Sequence, residues 1–109
     1  MTTQVMSDIE RIAFNWLVRR GVDFQFQTSL MGGIFSLGGA VVDFIIGLIV
    51  WRVMGTYWHQ GVEKTGQDTI QKELLIAMGY TVVDIWAEDL ENRAEQTLTL
   101  ALSGEEMLR

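Results

Sequence analysis

The chain has 109 residues, 49 % of them hydrophobic and 20 % charged, with no cysteine, no proline and a formal net charge of −6. A single domain of that size, 1–109, buries a core without covalent staples, and the composition excludes a disulfide framework, a thiolate zinc site and an intrinsically disordered chain. The charge is uneven: residues 1–80 hold seven acids and six bases, whereas residues 81–109 hold seven acids against Arg93 and Arg109 alone, so tight nucleic-acid binding through a basic face of this chain by itself is not expected.

The first residues lack a basic stretch followed by an apolar one, so no signal peptide is read and a cytoplasmic location is expected. Ser7 and Glu10 have capping-box spacing, and Ile9, Ile12, Ala13, Trp16 and Leu17 form an apolar helical stripe. Gly21 suits the position just past the helix, giving a first helix over about 8–20. Residues 22–27 alternate apolar and polar side chains, which predicts a half-buried strand. A glycine-containing loop over 30–39 follows.

Residues 32–53 are almost entirely apolar or glycine, with Asp43 in the middle. A membrane helix through them would have to accept five glycines, Gly32, Gly33, Gly38, Gly39 and Gly47, at about 1 kcal/mol each. It would also place Asp43 near the bilayer centre at about 2.5–3.5 kcal/mol. The residues on either side of Gly47 are β-branched and aromatic, so two strands, 40–46 and 48–53, joined by a tight turn are favoured over a membrane-associated protein built on 34–53. Their nearly continuous apolar character implies a sheet covered on both faces.

Residues 55–66 read as a loop. Ile70, Leu74, Leu75 and Met78 mark a helix over 67–78, ended by Gly79. Residues 80–86 read as a strand. Residues 87–102 read as a last helix, with Leu90, Ala94, Leu98 and Ala101 on one side. Its acids, Glu88, Asp89, Glu91 and Glu95, are expected to form a solvated face, with docking of a basic partner as the alternative. The order is α-β-β-β-α-β-α, an α/β (α+β) domain with a mixed sheet flanked by helices.

Four polar residues stand out: Glu10 in the first helix, Asp43 inside an apolar strand, His59, which is the only histidine, and Asp68 opening the second helix. Each has an ordinary explanation: Glu10 a capping box, Asp68 a helix-dipole preference, His59 a surface loop, and Asp43 an ion pair with Arg52 across the hairpin. Asp43 is the hardest to dismiss, because a carboxylate among apolar neighbours needs a partner.

The stretch Gly55-Thr56-Tyr57-Trp58-His59 resembles the glycine–x–aromatic–Trp–His stretch of the very-short-patch mismatch-repair endonucleases. The element order is similar to theirs and to that of DUF559-type proteins. The wider pattern resembles the EDxHD homing endonucleases of the PD-(D/E)XK-like nuclease superfamily. Leu75, Gly79, Tyr80 and Val82 stand where those proteins carry L-x-x-x-G-(Y/W)-x-V. The resemblance covers about residues 7–100 and implies a restriction-endonuclease-like core and a Mg²⁺-dependent DNA endonuclease or nickase, with Mn²⁺ as a substitute, encoded by a phage or mobile element. It implies that Asp43 and the Val53 backbone carbonyl bind the metal and that His59 activates water. Asp68 would orient His59, and Glu10 would complete the acidic site. Tyr57 and Trp58 would wedge into the base stack. Apart from the resemblance, Lys64 in the turn over 63–66 and Arg52 are candidate DNA contacts.

Relatives carry an acidic pair on the second hairpin strand, or a second histidine, where this chain has Arg52 and Met54. The alternative is therefore a catalytically degenerate nuclease fold used as a binding or structural module. A homodimer or a larger protein assembly would supply the recognition surface that so small a chain lacks.

Overall fold

A computed structural model describes residues 6–29, 41–55 and 62–107, with only the backbone path considered for 27–29, 41–42 and 62–68. The elements are α1 (Asp8–Arg19), β1 (Gln25–Ser29), β2 (Val41–Ile46), β3 (Ile49–Met54), α2 (Val62–Ala77), β4 (Thr81–Trp86) and α3 (Ala87–Leu102).

The first helix begins as its capping box dictates, with Ser7 Oγ accepting from Glu10 N–H at 3.1 Å and Glu10 Oε1 accepting from Ser7 N–H at 2.9 Å. It ends on Gly21 at φ +67°, where Gly21 N–H donates to Val18 O and Val22 N–H to Leu17 O. This closure satisfies two otherwise orphaned carbonyls and requires a left-handed residue at Gly21. It also uses Val22, so the first strand begins at Gln25, three residues later than the alternation alone predicts.

Strands β1, β2 and β3 form an antiparallel meander, and β4 joins β3 in parallel, giving the sheet order β1-β2-β3-β4. The turn between β2 and β3 is Gly47-Leu48, with Gly47 at φ +61° and Ile46 paired to Ile49. A two-residue hairpin turn that matches strand twist needs positive φ, which glycine adopts without a Cβ penalty. Within the hydrophobic stretch residues 41–46 and 49–54 thus form two strands, and no described helix is long and apolar enough to cross a membrane.

Alternation along the strands sends side chains to two different layers. Phe44, Trp51, Val83 and Ile85 pack with Ala13, Trp16 and Leu17 of α1 and with Leu90, Leu98 and Ala101 of α3. On the other face Ile45, Val50 and Val82 pack against Leu75 of α2. Trp51 is fully buried and its indole N–H donates to Ala101 O at 3.0 Å, so the largest core side chain leaves no donor unmet. Trp16 ties α1 to α3 by donating to Glu95 Oε2 at 2.6 Å, while Arg20 lies over the Trp16 ring and pairs with the same carboxylate. The Trp16 hydrogen bond, followed by the nearby arginine charges, holds the Glu95 carboxyl below its usual range.

The second helix starts at Val62, five residues before the start expected at 67, and runs through Gly66. The last helix spans its predicted residues but kinks at Arg93. Its acids do not form a uniformly solvated face: Asp89 is buried and pairs with Arg93 at 2.8 Å, and Glu95 is the α1 anchor just described. After α3 the chain turns back along β4, where Glu106 Oε2 accepts from the Asp84 backbone N–H at 3.1 Å and from Lys72 Nζ at 3.0 Å.

Candidate active site

The parallel strands β3 and β4 end side by side, with Ala87 N–H donating to Gly55 O at 3.4 Å. Because α2 connects the end of β3 to the start of β4, it runs back from this edge, and its first turns belong to the same end of the sheet.

Asp43 lies one residue before the last registered β2–β3 pair, Phe44 with Trp51. Beyond that pair Val53 N–H donates to Asp43 Oδ2 at 2.6 Å. The side chain thus lies in the seam where the two strands part. Glu10, from the first turn of α1, makes a side-chain hydrogen bond with the Asp43 carboxyl. Glu10 therefore serves two purposes at once: one oxygen closes the helix cap, and the carboxyl also meets Asp43.

Burial, followed by the hydrogen bond with Glu10, pushes the Asp43 carboxyl from 3.8 up to about 8. The negative charge on Glu10 adds to this, whereas the Val53 amide and the Arg52 cation pull the other way. Two carboxyl groups this close cannot both ionise cheaply, so at neutral pH they hold a proton between them and titrate as a pair.

That donor set fits a hard divalent cation. It offers carboxylate oxygens in a partly desolvated seam, with a shared proton that marks unrelieved negative charge. A strand residue sends its N–H and C=O to the same flank, so the Val53 carbonyl also belongs to the β2 side, where Asp43 is. Among the described residues no cluster of three or more His, Cys, Asp or Glu side chains is placed to hold a metal. A Mg²⁺ ion here would keep several waters, which is its ordinary habit.

Arg52 requires a correction. It is 5 % exposed and faces α2, not solvent. Its Nε and Nη2 donate to Asp84 Oδ1 and Oδ2 at 2.7 and 2.9 Å, and its Nη1 donates to Gln71 Oε1 at 2.8 Å. The fork thus belongs to Asp84, its register partner on β4, and not to Asp43 across the hairpin. A guanidinium committed in this way is held by partners inside the chain and is not presented to solvent, unlike the DNA contact expected of it. Asp84 also lies 3.7 Å from Lys72 Nζ. Nothing in the reading of the sequence singled out Asp84, Gln71 or Lys72; the available signal was an acid inside the apolar run of residues 80–86.

Asp68 also differs in place. It stands in the second turn of α2 and does not open the helix, while Lys64 is in its first turn. The side chains of both lie outside the described residues, as do Tyr57, Trp58 and His59 altogether. Of the sequence-derived set, the structure brings together Glu10, Asp43 and the Val53 backbone.

The fold is similar to a solved structure, the catalytic domain of the homing endonuclease I-Bth0305I, with a TM-score of 0.67 and 18 % sequence identity over 91 % of this chain and 98 % of that one. No protein-family model and no curated protein matches the chain. The mixed four-stranded sheet with three helices thus matches the core of a homing-endonuclease catalytic domain.

Proposed function

We propose that this chain is a metal-dependent DNA endonuclease or nickase. The observation that supports it most is the hydrogen-bonded Glu10–Asp43 pair, set beside the Val53 backbone at the end of the parallel strands, in a fold shared with a homing-endonuclease catalytic domain.

In this reading Asp43 and the Val53 carbonyl would hold Mg²⁺, or Mn²⁺ in its place, and Glu10 would complete the acidic site through a water. When bound, the ion supplies charge stabilisation for the phosphodiester transition state and orients the reacting groups. His59 takes the proton from the attacking water, a task suited to a group that titrates near neutral pH. Asp68 orients His59. Tyr57 and Trp58 enter the base stack, and Lys64 contacts a phosphate. The net charge of −6 opposes DNA, so a second copy or a larger assembly contributes affinity.

The second reading, a binding or structural module on a degenerate nuclease fold, draws on one observation. Strand β3 carries Arg52 and Met54, both buried, and adds no acid or histidine to the pair. Supercoiled plasmid incubated with the protein and Mg²⁺ or Mn²⁺ separates the two readings. Nicking that EDTA abolishes, and that both Asp43→Ala and His59→Ala lose, supports the enzyme. A folded protein that cleaves nothing across metals and DNA structures supports the module.

A further inference from the structure

The Arg52 network is placed where it bears on the site. Arg52 precedes Val53, whose N–H holds Asp43 at 2.6 Å. Its guanidinium reaches β4 through Asp84 and α2 through Gln71, and both Arg52 and Gln71 are buried, at 5 % and 8 % exposure. Gln71 stands three residues after Asp68 in the same helix. One side chain thus links the residue beside the Asp43 anchor to the helix that carries Asp68.

Stability alone does not account for such an arrangement. Removing a guanidinium and a carboxylate from water costs several kcal/mol per ion, and well-packed apolar substitutes at such places are often as stable or more so. What the ionic version provides is direction. Arg presents a planar fork whose donors fix two partners at set angles, which neither an apolar contact nor a lysine point charge does. Here the fork is satisfied by the two oxygens of Asp84, and a further donor specifies where on α2 the helix must sit.

We infer that Arg52, Asp84 and Gln71 form a positioning clamp that sets α2 against β3, and so fixes the Asp43–Val53 seam relative to the helix bearing Asp68. The inference rests on the nuclease reading for its catalytic consequence and on the geometry alone for its structural one. Arg52 acts through its neighbours and touches no substrate.

The test uses the Gln71 arm, which can be cut while the Arg52–Asp84 pair stays whole. Gln71→Leu removes the acceptor, and Gln71→Glu keeps one. Plasmid nicking with Mg²⁺ is measured for turnover and KM, together with thermal melting and the amide resonance of Val53 in a ¹H–¹⁵N spectrum. Gln71→Leu is expected to melt cooperatively, to lose about tenfold in turnover with KM for DNA within twofold of wild type, and to shift the Val53 amide. Gln71→Glu is expected to retain wild-type turnover within threefold and an unshifted Val53 amide. Wild-type turnover and an unmoved Val53 amide in Gln71→Leu would overturn the clamp, as would equal losses in the two variants. If the wild-type protein nicks no DNA, the nuclease reading fails by itself, and the Val53 amide in the two variants still decides the clamp.

Discussion

Replacing Asp43 with asparagine tests whether the Glu10–Asp43 pair is held as described. The folded chain keeps the Asp43 proton up to about pH 8, whereas a carboxyl of ordinary pKa, 3.8, releases it in the unfolded chain. Between those values the folded state binds more protons, so its stability falls as pH rises, and it is highest below about pH 4. Each pH unit within the window corresponds to about 1.4 kcal/mol. From pH 5 to pH 7 the ceiling is therefore ~2.7 kcal/mol, and partial exposure of the group reduces it to roughly 2 kcal/mol. The asparagine side chain is neutral at every pH, and its amide can accept from Val53 and donate to Glu10. The assay is thermal melting of both proteins in EDTA across pH 5–7. The melting temperature of wild type relative to Asp43→Asn should drop by about 8 °C over that interval, given roughly 4 °C per kcal/mol for a domain of this length. Taking the difference cancels the titrating groups other than Glu10, which titrates together with Asp43. Parallel curves for the two proteins would refute the account of a proton shared in a desolvated seam.

Added Mg²⁺ should raise the wild-type melting temperature more at pH 8 than at pH 5, because the ion competes with the shared proton, and should leave Asp43→Asn nearly unmoved; differential scanning fluorimetry reads this, with about 1.4 kcal/mol expected at tenfold over Kd. Trp51→Ala should destabilise the fold by about 3–5 kcal/mol in urea titration, since it empties a fully buried site and removes the indole N–H that ties β3 to Ala101 O. Gly47→Ala should cost only about 1 kcal/mol, because the turn holds φ at +61° yet nothing lies within 4 Å of the added methyl. Acidification should move the Trp16 indole N–H resonance with a midpoint below the usual carboxylate range, as protonation of Glu95 ends the hydrogen bond that holds its carboxyl down.

Much of the fold was legible because local chemistry and tertiary structure agree. Ser7, Glu10 and Gly21 delimit α1, and Gly47 between β-formers marks the hairpin. The misplacements have local causes. Val22 reads as strand by alternation but is consumed by the helix closure. Gly61 and Gly66 disguise the start of α2, whose first turns carry too few apolar residues to show a period. In the site, Asp43 announced itself as an acid without an apolar excuse. Glu10 did so only ambiguously, because its cap explained it fully, and the structure shows that one side chain fills both places. The partner of Arg52 was not legible at all. The hairpin offers Asp43 by simple counting, whereas Asp84 becomes its neighbour only through the register of a parallel pair separated by a whole helix. Sequence distance gives no hint of such a register.

The Glu106 carboxylate on the Asp84 amide bears on how the protein behaves in a crowded solution. Among the described residues strand β4 closes one side of the sheet, and outward-facing amides on such a margin invite an extended segment of another molecule to pair there. A charged side chain already seated on that margin, and braced by Lys72, must be displaced before such growth begins. Neutralising Glu106 would bare this margin, and its first expected effect is a loss of solubility at high concentration.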